Sequence, residues 1–308
     1  LPTESTPIVV QPLPAAAPVE PARIPVRKTY KLYIGGAFPR SESGRVYPVT
    51  SRSGQLLAHA AQASRKDVRD AVVAARGAFA AWSGASAYNR GQVIYRIAEM
   101  LEGRRAQFAA EVAAAEGIGL VAAGTAVDAS VDRLVWYAGW TDKYAQITGG
   151  ANPVSGPYIN YSVPEPSGVI GVLAPQISSL LGLISVVAPV IAMGSTCVVV
   201  SSFTRPLPAI CLAEALDTSD LPGGVINLLS GSAAELGPWL ASHRDVNGID
   251  ITGADLDARA DLLRCASDTV KRAYCPTGAG EEDWAREPTL RRMASFVETK
   301  TVWHPLGV

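Results

Sequence analysis

The chain has 308 residues, 48% of them hydrophobic, enough for one large core or two modest ones. Its 27 Lys and Arg stand against 28 Asp and Glu, which removes the electrostatic case for a nucleic-acid partner or an anionic membrane. The longest apolar segment, Ser179 to Met193, contains Gly182 and Pro189 and falls short of the ~20 residues a spanning helix needs, so a soluble protein with no membrane partner is expected.

Residues 1–29 are rich in Pro, Ala and Val without helical or strand period, and read as a disordered or polyproline-like arm that a partner surface would hold. Tyr30 to Ala61 reads as a small antiparallel element. Lys31-Leu32-Tyr33-Ile34 is followed by a Gly35-Gly36 turn and a second run around Arg45-Val46-Tyr47-Pro48-Val49. Ser64 and Asp67 have capping-box spacing and open a helix to about Trp82. Further helices are expected from about Asn89 to Glu102, Arg104 to Glu116 and Val121 to Gln146, with Ala-rich faces suited to close packing. Gly149 to Val163 carries Gly, Pro and alternating Tyr158, Asn160 and Ser162, the pattern of a hairpin that leaves the compact body.

Short apolar runs then follow at regular intervals: Ser167 to Ala174, Thr196 to Val200, Val225 to Leu229 and Asn247 to Gly253. Runs of that length, β-rich and apolar on both faces, suit parallel strands covered by helices on either side. The predicted fold class is α/β, a doubly wound, Rossmann-like parallel sheet with its ligand crevice outside the carboxyl ends of the strands. Asp255 to Ala273 reads as a helix with acids in its first turn. A loop after Cys275-Pro276-Thr277-Gly278 leads to a short helix near Pro288 to Met293. The alternating run Ser295 to Trp303 reads as an edge strand or a strand donated to a neighbour.

Candidate chemistry is sparse. Cys197 falls in a buried strand and Cys211 on a helix, where free Cys acts as a small apolar residue. Cys265 follows Arg264 and Cys275 precedes a proline; either would be reactive if exposed beside positive charge, but no base accompanies them. The four cysteines have neither metal-ligand spacing nor the density of a secreted disulfide scaffold, which predicts reduced thiols, a cytoplasmic location and no metal site. His59, His243 and His304 are isolated, His243 reading as a packing or capping residue, and Glu99, Glu102, Glu111 and Glu116 read as solvated-face charges.

Several segments, in order, resemble the NAD(P)-dependent aldehyde dehydrogenase superfamily. They are Ala78-Phe79-Ala80-Ala81-Trp82-Ser83, Glu165-Pro166-Ser167-Gly168-Val169, Ala188 to Thr196, Leu221-Pro222-Gly223-Gly224-Val225-Ile226-Asn227, Ser242 to Val246 and Ile251-Thr252-Gly253. Ser295 to Trp303 is similar to the family's carboxyl-terminal oligomerisation strand. The resemblance implies a dinucleotide-binding-type domain over residues 30–148 and 164–275, an oligomerisation hairpin and strand over 149–163 and 294–308, and a connecting loop over 276–293. It also implies NAD or NADP as cofactor, with Pro175, Gly231 and Gly253 at family cofactor positions.

The family's chemistry needs a thiolate, a carboxylate base and an amide that holds the oxyanion. The resemblance places Ile177 where the amide belongs, Lys271 to Pro276 where a Glu-Leu-Gly-Gly segment belongs, and no domain carrying the nucleophile, so no catalytic residue is assigned. Val200 and Phe203 align with the Lys and Glu that hold the adenosine ribose, and Ala258 with the second glycine of the pyrophosphate turn. Asp255 and Asp257 would repel a diphosphate at that helix end, so weak or no NAD binding is expected. The leading expectation is a non-catalytic subunit that pairs with a full-length aldehyde dehydrogenase paralogue through 149–163 and 294–308. Two alternatives remain open: an enzyme working alone with a recruited cysteine, and a nucleotide-binding regulatory module.

Overall fold

The computed structural model describes residues 28–307. Most of the Pro-rich arm, with its expected wrap along a partner, therefore lies outside the described residues. Three strands open the fold: β1 (Thr29–Tyr30), β2 (Val46–Thr50) and β3 (Leu56–Ala61), in the order β1-β3-β2. Thr29 thus belongs to the body rather than to the arm. The expected pairing of residues 31–34 with 45–49 does not occur, because β2 pairs with β3 instead. Tyr33 exchanges both backbone hydrogen bonds with Leu228, at 2.9 and 2.8 Å. Gly35 and Gly36 take φ of 63° and 81°, the tight turn their sequence suggests, and the Gly35 N–H is held by the buried Asn227 side chain at 2.9 Å.

Four helices follow, α1 (Arg65–Gly84), α2 (Ala87–Glu102), α3 (Arg105–Glu116) and α4 (Leu120–Trp140), then the short α5 (Tyr144–Thr148). The capping box is formed: the Ser64 hydroxyl accepts from the Lys66 and Asp67 N–H groups while Asp67 accepts from the Ser64 N–H at 2.7 Å. Asp67 also takes the Ser41 hydroxyl, so the cap ties the strand element to α1. The helix expected to continue to Gln146 stops at Trp140, where the Thr141 hydroxyl donates to Ala138 O at 2.9 Å. Among the described residues no single helix is long and apolar enough to cross a membrane.

The hairpin strands are β4 (Gly150–Ala151) and β5 (Tyr158–Pro166); β5 runs three residues past the expected boundary at Val163. The wound region comprises β6 (Val169–Leu173), α6 (Leu181–Ala192), β7 (Thr196–Val200), α7 (Leu207–Leu216), β8 (Ile226–Leu229), α8 (Ala233–Ser242), β9 (Gly248–Asp250), α9 (Leu256–Ser267) and β10 (Arg272–Tyr274). All five strands run parallel in the order β10-β9-β6-β7-β8. The helix expected to reach Ala273 closes at Ser267. Val270 takes φ of 54°, Lys271 N–H returns to Ala266 O at 3.1 Å, and the next three residues form a strand not anticipated from their sequence.

Alternation along the strands builds two cores. Val169, Leu173, Val198 and Val200 face α1, α8 and α9, whereas Ile170, Val172, Cys197 and Val199 face α2, α4, α6 and α7. Full burial of such a side chain is worth about 1.5–3 kcal/mol. The chain closes with α10 (Arg291–Ser295) and β11 (Val297–Pro305). β11 pairs antiparallel with β5 of its own chain from Val297↔Pro166 to Pro305↔Tyr158, giving a third sheet, β11-β5-β4. Tyr158, Ile159, Tyr161 and Trp303 on this sheet are exposed, and among the described residues no strand pairs with the outer edge of β11.

Candidate functional site

β6 lies between β7 on one side and β9 on the other, so the loops after β6 and β9 part at a topological switch point. Gly253 is required there. Its N–H donates to Leu173 O at 2.8 Å, and a Cβ at this position would fall 1.8 Å from Ala174 O. Pro175 is buried beside it, its ring against Gly182, where an added Cβ would lie 3.0 Å away. Gly231, the third expected cofactor position, lies beyond β8, two strands from β6, and packs near Ala63 and Leu236. The fold thus brings Pro175 and Gly253 together and leaves Gly231 apart.

The crevice over these loops, about 420 Å³, is bounded by Gln176, Ile177, the first turn of α9 and Ala279 to Glu281. Its electrostatics are anionic. The Glu281 carboxylate accepts the backbone N–H groups of Ile177 and Ser178 at 2.7 and 2.8 Å and the Trp284 indole N–H at 3.0 Å. Asp255 occupies the N-cap position of α9 without a side-chain capping hydrogen bond, Asp257 stands in the first turn, and both are exposed. Arg259, the one cation lining the crevice, holds the Pro276 and Gly278 carbonyls at 3.2 and 2.8 Å. The exposed Ile177 side chain carries no hydrogen-bonding group, so the backbone supplies the only donors at this position, and a carboxylate already occupies them.

After β7 the wall is equally altered. Val200 is fully buried, and Phe203 stacks on Tyr47 with ring centroids 4.8 Å apart. Gln176 holds this turn closed, its Oε1 accepting the Phe203 N–H at 3.0 Å while the Ser202 hydroxyl donates to Gln176 O at 2.8 Å. A separate apolar cavity of about 440 Å³ lies between α8 and α9, lined by Ala234, Pro238, Ala258, Leu262 and Cys265.

The expected nucleophile candidates lack activation. Burial raises the Cys197 thiol, and burial followed by Glu111 pushes Cys211 up to about 12. Cys275 donates to its neighbouring Pro276 carbonyl, and among the described residues neither Cys265 nor Cys275 hydrogen-bonds to a His, Asp or Glu. No three metal-ligating side chains converge among the described residues. His243 Nδ1 accepts the Asp245 N–H at 3.2 Å, a capping role at the end of α8. Two of the glutamates expected on solvated faces have internal duties. Glu111 accepts the Tyr30 hydroxyl at 2.9 Å, and Glu116 accepts both Ser179 N–H and Oγ–H at 2.7 Å ahead of α6.

The Aldehyde dehydrogenase family profile matches residues 38–281. The chain belongs to the aldehyde dehydrogenase family. It is 33% identical over 262 residues to a mitochondrial benzaldehyde dehydrogenase of Antirrhinum majus, covering 83% of this chain and 48% of that protein. It is 31% identical over 261 residues to the human cytosolic 10-formyltetrahydrofolate dehydrogenase, covering 82% of this chain and 29% of that one. The NAD+ complex of an aldehyde dehydrogenase from Bacillus cereus superposes with a TM-score of 0.75 at 28% identity, over 80% of this chain and 50% of that one. The chain thus spans half the length of these relatives or less. In this aldehyde dehydrogenase family chain, the α8–α9 cavity has mainly apolar walls, with Asp255, Asp261 and Arg264 also lining it. The crevice beside it is lined by three carboxylates, Asp255, Asp257 and Glu281, against one guanidinium, Arg259, an excess of negative charge that suits a diphosphate poorly, and positions 200 and 203 carry no polar side chain for a ribose.

Proposed function

We propose that the chain is a non-catalytic aldehyde dehydrogenase-like subunit that assembles with a full-length active aldehyde dehydrogenase. The observation that carries this reading is the Glu281 carboxylate on the Ile177 and Ser178 N–H groups. A developing oxyanion needs donors aimed at it in a dry site, and here an internal anion consumes them. Residues 275–296 are all that separate β10 from β11, and they hold no thiol other than Cys275. The sheet β11-β5-β4 supports the second half of the proposal. It offers exposed Tyr158, Ile159, Tyr161 and Trp303 together with an edge unpaired among the described residues, the features of a strand-addition interface. Weak or absent NAD binding and a cytoplasmic location, the latter from four free thiols, belong to the same reading.

Light scattering on the chain alone and co-expressed with a full-length paralogue tests it. A mixed oligomer that purifies together, and is lost on Tyr161→Asp, supports assembly. A stable monomer indifferent to the paralogue, or aldehyde-dependent NADH formation by the pure chain that Cys265→Ala or Cys275→Ala abolishes, overturns it.

The α8–α9 cavity favours a second reading, a nucleotide-binding regulatory module. Titration calorimetry with NAD and NADP separates the two, since a module of that kind gives saturable heat and the subunit reading gives none at millimolar cofactor.

A further inference from the structure

A cavity of about 560 Å³ lies between α4, α6 and the segment that joins β10 to α10. Two buried guanidinium groups border it, and they are treated differently. Arg292, 5% exposed, meets the carboxylates of Asp250 and Glu282. Arg133, 8% exposed, meets only neutral acceptors: Ser185 Oγ at 2.9 Å and the Trp284 and Arg286 carbonyls, each at 2.8 Å. The Ser185 proton is already spent on Leu181 O, so Ser185 offers Arg133 a lone pair and no charge.

Three hydrogen bonds leave the Arg133 Nε–H and one Nη1–H without an acceptor among the described residues. Tyr137, one turn further along α4 and 2% exposed, has a hydroxyl with no hydrogen-bond partner among the described residues. The side-chain atoms sealed from solvent without a partner are Tyr47 Oη, Asn160 Nδ2, Ser167 Oγ and Ser195 Oγ. Arg133 Nε and Tyr137 Oη are not among them, and both residues line the cavity.

The carboxylates around the cavity are engaged elsewhere. Glu281 holds the Ile177 and Ser178 N–H groups, Glu282 holds Arg292 and the Tyr274 hydroxyl, and Asp283 pairs with Arg286. Glu287, exposed at the rim, makes no ion pair with Arg133, although its charge favours the guanidinium from a distance. One buried positive charge is left without a contacting counter-charge, beside the aromatic walls of Tyr137, Tyr274 and Trp284.

We infer that this cavity binds a small monocarboxylate, its carboxylate on Arg133 and the Tyr137 hydroxyl and its apolar part against Trp284. A monoanion neutralises Arg133, whereas the second charge of a dianion such as phosphate is left to the exposed, solvent-screened Arg291 and faces Glu287 at the rim. The inference goes beyond the subunit reading and stands whether or not the chain assembles.

Titration calorimetry of the full chain with benzoate, propionate and inorganic phosphate tests it. The expected result is one site for benzoate, weaker binding of propionate, and none of phosphate at about 10 mM. Arg133→Gln is expected to weaken benzoate at least about tenfold. Because Arg133 also anchors two carbonyls, Tyr137→Phe provides the second variant: its hydroxyl has no protein partner, so the fold is kept while benzoate binds severalfold less tightly. Absence of binding by both carboxylates, tighter binding of phosphate than of benzoate, or unchanged benzoate affinity in Tyr137→Phe overturns the inference.

Discussion

The Asp250 carboxylate and the Arg292 guanidinium meet inside the protein, Asp250 at the end of β9 with no exposed surface and Arg292 in α10. Burial pushes the Asp250 carboxyl up, against the pull of Arg292 and the Thr252 donors. Burial also opposes the charge on Arg292, but Asp250, Tyr274 and Glu282 more than offset it and hold that charge in place. Through this contact the connecting segment is fastened to the carboxyl edge of the sheet. Arg292→Met leaves a buried, unpaired acid, and a loss of about 3–5 kcal/mol is expected from urea unfolding. The double variant Asp250→Ala, Arg292→Met is expected to recover most of that loss, and a double variant no more stable than the single one would refute the pairing argument.

Gly253 offers a sharper test of backbone packing. Its missing Cβ would sit 1.8 Å from Ala174 O and 2.6 Å from the attached carbon, both backbone atoms that cannot rotate away. Gly253→Ala is expected to cost more than about 3 kcal/mol or to abolish soluble expression, whereas Gly280→Ala, with nothing within 4 Å, is expected to be neutral.

A pH effect follows from His243. Burial lowers its pKa below 6.5, and its Nδ1 accepts the Asp245 N–H, which requires that nitrogen unprotonated. A folded-state pKa below the unfolded value gives stability that is present above pH 6.5 and lost as pH falls through the lowered value. The loss at this half-buried site is expected to stay under about 1 kcal/mol. Melting temperature followed through that window should flatten in His243→Gln; an unchanged slope would remove the role of the imidazole.

The crevice acids predict a gain of function. At about 7 Å and an effective dielectric near 40, each carboxylate facing a diphosphate costs about 1 kcal/mol. Asp255→Asn, Asp257→Asn and Glu281→Gln together are therefore expected to raise NAD affinity at least about tenfold over the parent chain. Calorimetry that finds no increase would mean that the closed turn at Phe203, rather than charge, governs the crevice.

Much of this was legible from sequence where the signal is local. β6, β7 and β8 are unbroken apolar runs, and Ser64 with Asp67 announces α1 by spacing alone. β10 was not legible, since Arg272-Ala273-Tyr274 is short, half polar and ordered only by its neighbour β9. Gly35-Gly36 is a strong turn signal and points Tyr33 to a local hairpin. Its true partner, Leu228, is 195 residues away, and β3 hides its strand character under an Ala-rich sequence. At the site, Gly253 and the first-turn acids of α9 could be read by position. Glu281 on Ile177, Asp250 with Arg292 and Arg133 without a counter-charge could not, because each depends on where the segment after β10 folds back.

The outer rim of β11 has one more implication, for the cell rather than for the fold. A nine-residue strand with one row of amides unclaimed among the described residues is adhesive, and Lys300, tied to Glu165, is a thin guard against self-stacking. Under the proposed assembly, synthesis in excess of the partner that covers that rim should end in inclusion bodies or proteolysis, and the steady-state amount of this chain would then follow that partner's supply.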